Sequence, residues 1–178
     1  LNGTTGVVIP FSTKDNGADL VETSYLMAGL LTARQYFDGV DAAETSLRSD
    51  INTIWNAVEW SWFRQGSQNA LYWHWSPNNG FDMNFPVWGY NECLITYIMG
   101  ASSQYHSIPK AAYDGTWAGR QGFKNGKQYY GYTLPLGNYD EDKGGPLFFE
   151  QYTFQGIDPN GLTDSLGNDY FLQGKNHT

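Results

Sequence analysis

The stretch Asp19–Phe37, DLVETSYLMAGLLTARQYF, decides the fold. Asp19 suits a helix N-cap, and Glu22 three residues on completes a capping-box pattern. Apolar residues fall on more than one face (Leu20, Val21, Leu26, Met27, Leu30, Leu31, Phe37), the mark of a helix buried nearly all round. Gly39 ends it, and Asp41 caps a second helix with Glu44 again at the third position. There Leu47, Ile51, Ile54, Trp55, Val58 and Trp62 make one stripe, with Arg48, Asp50, Asn52 and Asn56 turned outward. This second helix is expected to bury one side only. A third, from about Val87 to Ser102, is apolar on several sides through Leu94, Ile95, Tyr97, Ile98 and Met99. Enclosed, amphipathic, enclosed is the order of an all-α double ring, an (α/α) barrel. A four-helix bundle would make every helix amphipathic alike. With short loops the first and third helices run parallel, and their N-terminal ends open on the same side.

Downstream the pattern weakens. Pro109 opens a short helix to about Trp117. Gly119–Gly145 is Gly- and Tyr-rich, with a hairpin or extended loop expected around Tyr129–Leu136. Pro146–Gln155 reads as another helix, with Pro146 in its first turn, and Asp158–Tyr170 as a turn plus a short helix. Five or six helices are too few to close a double ring.

Composition narrows the chemistry. The 178 residues suffice for one domain, 1–178, with a real core. Aromatics make up 17% (7 Trp, 13 Tyr, 10 Phe) against 16% charged residues, which disfavours disorder. The net charge of −8 and the lack of any basic run argue against nucleic acid or an anionic membrane surface as partner. No stretch reaches the roughly 18 apolar residues of a membrane span. Cys93 is the only cysteine, so an internal disulfide and zinc-type spacing are both excluded, and no metal or cofactor is expected. Phosphate-binding glycine motifs, a nucleophile elbow and internal repeats are absent from the sequence.

The polar chemistry gathers in Leu71–Leu94, LYWHWSPNNGFDMNFPVWGYNECL. Trp73 and Trp75 alternate as in a short strand, which points both rings to one face and His74 to the other. Aromatic faces beside carboxylates and amides (Asp82, Asn84, Asn91, Glu92) suit a sugar, whose C–H faces stack on rings and whose hydroxyls need directional partners. Glu22 opens the first enclosed helix and Glu92 lies near the start of the third, so parallel helices bring both, with Asp15, to one mouth. Two carboxyl groups flanking a glycosidic bond are the minimum machinery for its hydrolysis. Local explanations compete. Glu22 also fits as the capping-box partner of Asp19, and Asp15 sits in a K-D-N-G turn. Asp82 could brace its loop, His74 could be a structural histidine, and His106 and His177 have no ligand-like neighbours in sequence. Glu92 has no cap residue three positions before it, where Gly89 stands.

DNGADLVETSYLMAGLLTARQYFDG, LYWHWSPNNGFDMNFPVWGYNECLITYIMGASS and GGPLFFEQYTFQGIDPNGL resemble the glucoamylase-like (glycoamylase) domain of bacterial glycoside hydrolases, closest to its endo-β-1,2-glucanase branch. The resemblance runs from about Ile9 to the last residue. It implies an (α/α) six-hairpin barrel and hydrolysis of β-1,2-glucan to sophoro-oligosaccharides, in the periplasm or outside the cell. It also implies Glu92 as general acid, Asp15 and Glu22 as the other essential carboxylates, and Tyr152 among the sugar contacts. The family domain continues beyond GKNHT, so the chain is expected to be a partial domain, incomplete on its C-terminal side, with the remainder of the barrel needed to complete the cleft. The same domain type occurs as a transglycosylating module of cyclic β-1,2-glucan synthases. A non-catalytic glycan-binding protein of this fold is a further alternative. A polysaccharide lyase would want clustered cations, and only 10 Lys and Arg are present.

Overall fold

The computed structural model describes residues 1–119, 123, 126–136 and 144–178. Strand β1 (Ala18–Asp19) leads into helix α1 (Leu20–Tyr36), and α2 (Ala42–Ala57) follows. Both expected caps form. Asp19 Oδ1 accepts the Glu22 N–H at 2.9 Å, and Asp41 Oδ1 accepts those of Ala43 and Glu44 at 2.9 and 3.1 Å. Each thereby satisfies first-turn donors that a helix leaves orphaned.

α1 packs against both α2 and α3 (Leu94–Ser102). Ser24 Oγ meets Thr96 Oγ1 at 3.0 Å near the start of both helices, and Gln35 and Ser102 line one groove near their ends. Contacts that advance together make α1 and α3 parallel. That is the arrangement the sequence suggested.

Two expectations about burial need correction. α1 buries Leu20, Val21, Ser24 and Met27, but Leu26 is 60% exposed and Tyr36 78%, so one side is enclosed rather than all of it. On α2 only Ile51 is fully buried, and Trp62 of the expected stripe is 54% exposed. Trp62 falls outside the helix, in the 3₁₀ turn Trp60–Arg64. There Trp60, not Trp62, enters the core.

The third helix begins seven residues later than its apolar run. Pro86–Val87 (β4) pairs antiparallel with Leu71–Tyr72 (β2), while His74–Trp75 (β3) pairs antiparallel with β1 on the opposite edge. Trp73 is the crossover. Its N–H donates to Phe85 and its carbonyl accepts from Leu20, each at 2.9 Å. Tyr97 then fastens this ribbon to α3, donating to the Val87 carbonyl at 2.7 Å and accepting the Leu71 N–H at 3.1 Å. The Val87 carbonyl that a helix starting there would have used is thereby taken by the Tyr97 hydroxyl.

α4 (Lys110–Ala112) starts at Pro109 and continues as a wider turn through Tyr113–Trp117. The hairpin appears as β5 (Gln128–Tyr129) and β6 (Tyr132–Thr133). Its two-residue turn has positive φ at both Tyr130 and Gly131, as a right-twisted hairpin requires. The rest of the Gly- and Tyr-rich stretch lies partly outside the described residues. α5 (Phe148–Gln151) runs into a 3₁₀ turn, Tyr152–Gln155. The last helix, α6, occupies Tyr170–His177 under an Asp169 cap, later than the short helix expected by Tyr170. Trp60, Trp117, Tyr97, Leu20, Met27, Leu71 and Ile95 form the buried centre between these elements.

Candidate active site

A cleft of about 490 Å³ opens between α1, the loop before α3 and the α5 segment. Glu22 and Glu92 both line it, with Val21, Tyr25, Phe148, Tyr152 and Gln155. The parallel packing of α1 and α3 is what puts two carboxylates from opposite halves of the sequence in one wall. Burial, followed by the charge of Glu22, raises the Glu92 carboxyl above its ordinary range, against a lowering backbone hydrogen bond. Glu92 Oε2 is buried and has no protein hydrogen-bond partner among the described residues. A carboxyl that favours its proton and keeps an unspent oxygen in a cleft is equipped to donate that proton.

Glu22 serves two purposes. Its N–H is the one capped by Asp19, while its side chain lines the cleft. Tyr152 stands opposite, edge-on to Tyr25 at 6.0 Å and tilted against Phe148 at 5.0 Å. It offers a half-exposed ring beside the carboxylates.

Asp15 enters a neighbouring cluster. Its backbone makes the turn, with its N–H on Ser12 and its carbonyl accepting from Phe11 and Ser12. That leaves the carboxylate free to approach His74. Loop 13–16 is held against loop 76–79 by Asn16–Asn78, Ser76–Asn16 and Asn79–Thr13 hydrogen bonds of 2.9, 2.6 and 3.1 Å. His74 Nε2 then lies 3.5 Å from Asp15 Oδ2 and 3.6 Å from Asp19 Oδ2. In sequence Asp19 reads as a cap and His74 fits a structural histidine. The strand pairing of β1 with β3 is what joins them. Asp19 is raised above its usual value chiefly by burial, opposed by the Glu22 N–H, His74 and Trp73. Burial pushes the Cys93 thiol well up, and the charges of Glu92, Asp19 and Glu22 add to the rise.

The two tryptophans are not an open pair. Trp73 stacks on His74 at 5.8 Å and 11° and gives its indole N–H to Asp19, so the two rings do not lie on opposite faces. Trp75 packs against the core edge, half-buried. Asp82 is exposed and 3.6 Å from Lys14, and Asn84 sits exposed in a turn at positive φ. Asn91 is buried. Its amide donates to the Trp88 carbonyl and accepts the Cys93 N–H, spending both ends on backbone. Among the described residues no group of His, Cys, Asp and Glu is arranged to hold a metal ion.

Sequence and structure comparisons agree with this architecture. The chain is similar to an endo-β-1,2-glucanase from Chitinophaga pinensis, solved with sophorotriose and glucose (50% identity, TM-score 0.91, 99% of this chain and 42% of that one). It is also similar to a β-1,2-glucanase from Parabacteroides distasonis (38% identity, TM-score 0.87, 97% of this chain and 27% of that one). A curated relative from Parabacteroides distasonis, an exo β-1,2-glucooligosaccharide sophorohydrolase acting at the non-reducing end, is 40% identical over 96% of this chain. The chain spans 26% of that relative's length. Its helices are thus part of the glycoamylase-like helical barrel. Residues 84–178, more than half of the chain, match the glycoamylase family model, described as "Putative glucoamylase": the chain belongs to the glycoamylase family.

Proposed function

We propose that the protein containing this chain hydrolyses β-linked glucan, most specifically β-1,2-glucan, and that Glu92 is its general acid. The observation that carries this reading is Glu92, with a buried and unpartnered Oε2, beside Glu22 in one aromatic-walled cleft. Three of the relatives are named as β-1,2-glucan-cleaving enzymes, which supports the same substrate class. Glu22, or Asp15 through a water, takes the opposing role of base. Tyr152 supplies a ring for a sugar face, and Trp75 and the exposed Asp82 and Asn84 belong to the outer contacts. Further barrel helices complete the cleft and cover the exposed side of α1, where Leu26 and Tyr36 stand open. A periplasmic or secreted location goes with the same reading, and fractionation of the source cells checks it.

The deciding experiment incubates the whole protein with β-1,2-, β-1,3-, β-1,4- and α-1,4-glucans and resolves the products. Mixed sophoro-oligosaccharides indicate endo action and sophorose alone indicates exo action. Larger or cyclic products indicate transfer. Binding without products would make the protein a glycan receptor, and activity on α-1,4-glucan alone would overturn the linkage.

A further inference from the structure

α3 begins without a cap of its own. Cys93 holds the cap position and makes no side-chain hydrogen bond to the first turn. A thiol is a weak acceptor for that purpose. The orphaned donors are met by other residues. Asn91 Oδ1 accepts the Cys93 N–H at 3.0 Å, and Thr153 Oγ1 accepts the Ile95 N–H at 3.3 Å. Thr153 belongs to the turn after α5 and is 1% exposed. Its hydroxyl has a single proton to give, and it gives it to the backbone carbonyl of Glu92 at 2.8 Å. Tyr25 donates to the same carbonyl from α1 at 2.7 Å. One peptide group, that of Glu92, is therefore gripped by hydroxyls from two separate elements.

We propose that Thr153 is a positioning residue for Glu92: a helix cap supplied from a distant segment, whose hydroxyl fixes the backbone that carries the acid. The inference rests on reading Glu92 as the general acid. The need for such a device follows from the carboxyl itself. Because Glu92 Oε2 makes no hydrogen bond to protein among the described residues, the backbone must supply the precision. A proton donor gains from exact placement, and a displacement of about 1 Å can cost on the order of 10²-fold in rate. The grip also joins acid and cleft wall. Tyr152, adjacent to Thr153, lines the cleft, so both move with the same turn. α5, which leads directly into that turn, is anchored to α6, where Glu150 Oε1 lies 3.2 Å from His177 Nδ1. Burial alone does not require a hydroxyl at position 153, since a valine would fill the same space.

The test compares Thr153→Val with Thr153→Ser in the full-length enzyme. Thr153→Val is expected to lower kcat on β-1,2-glucan by roughly 10- to 100-fold per folded molecule, with KM within about twofold. Thr153→Ser, which keeps the hydroxyl, is expected to restore kcat to within about threefold of wild type. A merely structural role predicts lower melting temperatures with normal kcat in the folded fraction. That result, or equal losses in both variants, overturns the proposal. If Thr153→Val does not fold, Tyr25→Phe removes the other hydroxyl from the same carbonyl, and an unchanged kcat there overturns it. If the wild-type enzyme cleaves none of the glucans, the functional reading fails by itself. Crystal structures of the two variants then decide: a Glu92 carboxyl displaced in Thr153→Val but not in Thr153→Ser supports positioning, and an unmoved one refutes it.

Discussion

Trp73 donates its indole N–H to Asp19 Oδ2 at 3.1 Å, which makes it a brace for a half-buried carboxylate before it is anything else. Its ring also lies flat on His74, which contacts the same carboxylate. Trp73→Phe keeps an aromatic ring for the stack but leaves Asp19 short of a donor. The expected cost is about 1–2 kcal/mol, read by urea denaturation, with glucan affinity changed less than about threefold. A large affinity loss at unchanged stability would return Trp73 to the role of a sugar platform.

Glu92→Gln removes the transferable proton while keeping size and hydrogen bonding. Turnover of β-1,2-glucan by the full-length enzyme is expected to fall ~10²–10⁴-fold with little change in melting temperature. The raised Glu92 carboxyl places the alkaline limb of the pH–rate profile above the ordinary carboxylate range. That limb reports loss of the acid's proton, so Glu92→Gln should flatten it. A surviving limb would assign it to another group.

Capping and the proposed catalytic role are separable at Asp19 and Glu22. The cap acceptor is the Asp19 side chain, and the donor is only the backbone of Glu22. Asp19→Ala is expected to cost about 1 kcal/mol or more by loss of the cap. Glu22→Gln should leave stability within about 0.5 kcal/mol and still impair turnover. Calorimetry and kinetics on the same preparations test both.

The Glu150–His177 pair predicts a pH dependence of stability. Burial lifts Glu150 to about 7 from an ordinary 4.5 and lowers His177 below its usual 6.5. At pH 7 the Glu150 carboxyl is therefore only about half ionised and faces an imidazole held toward its neutral form, with Tyr90 stacked on that imidazole at 5.0 Å. For Glu150 the folded state binds the proton more tightly than the unfolded chain. Its contribution is complete below pH 4.5 and is lost as pH rises through 7, amounting to ~3 kcal/mol. His177 acts in the opposite sense, costing stability as pH falls through 6.5. Glu150→Gln should remove the decline above pH 5 in urea titrations, and an unchanged decline would exclude Glu150 as its source.

Local signals carried α1 almost to the residue and fixed the start of α2, because Asp19 and Asp41 announce their caps within the segments they start. Glu92 stands out for the complementary reason that no local role explains it, and the structure puts it in the cleft beside Glu22. What escaped was decided by distant strand pairing and side-chain contacts. The run from Val87 reads as helix until Leu71–Tyr72 claims Pro86–Val87 for a ladder. His74 looks idle until β1 brings Asp15 and Asp19 to it. His177 has no partner in its own neighbourhood of sequence, and Glu150 reaches it only through the packing of α5 on α6. Thr153 carries no motif at all.

The strand from Leu71 to Trp75 changes partner at Trp73, bonding to 85–87 on one edge and to 18–20 on the other. Both connections span many residues, and such closures are slow compared with forming a helix turn. α1 and α2 can therefore be helical while Asp15, Asp19 and His74 are still apart. The acidic cluster comes into existence only when β1 pairs with β3, so a chain caught before that closure would possess its helices and lack the contacts of His74 with Asp15 and Asp19.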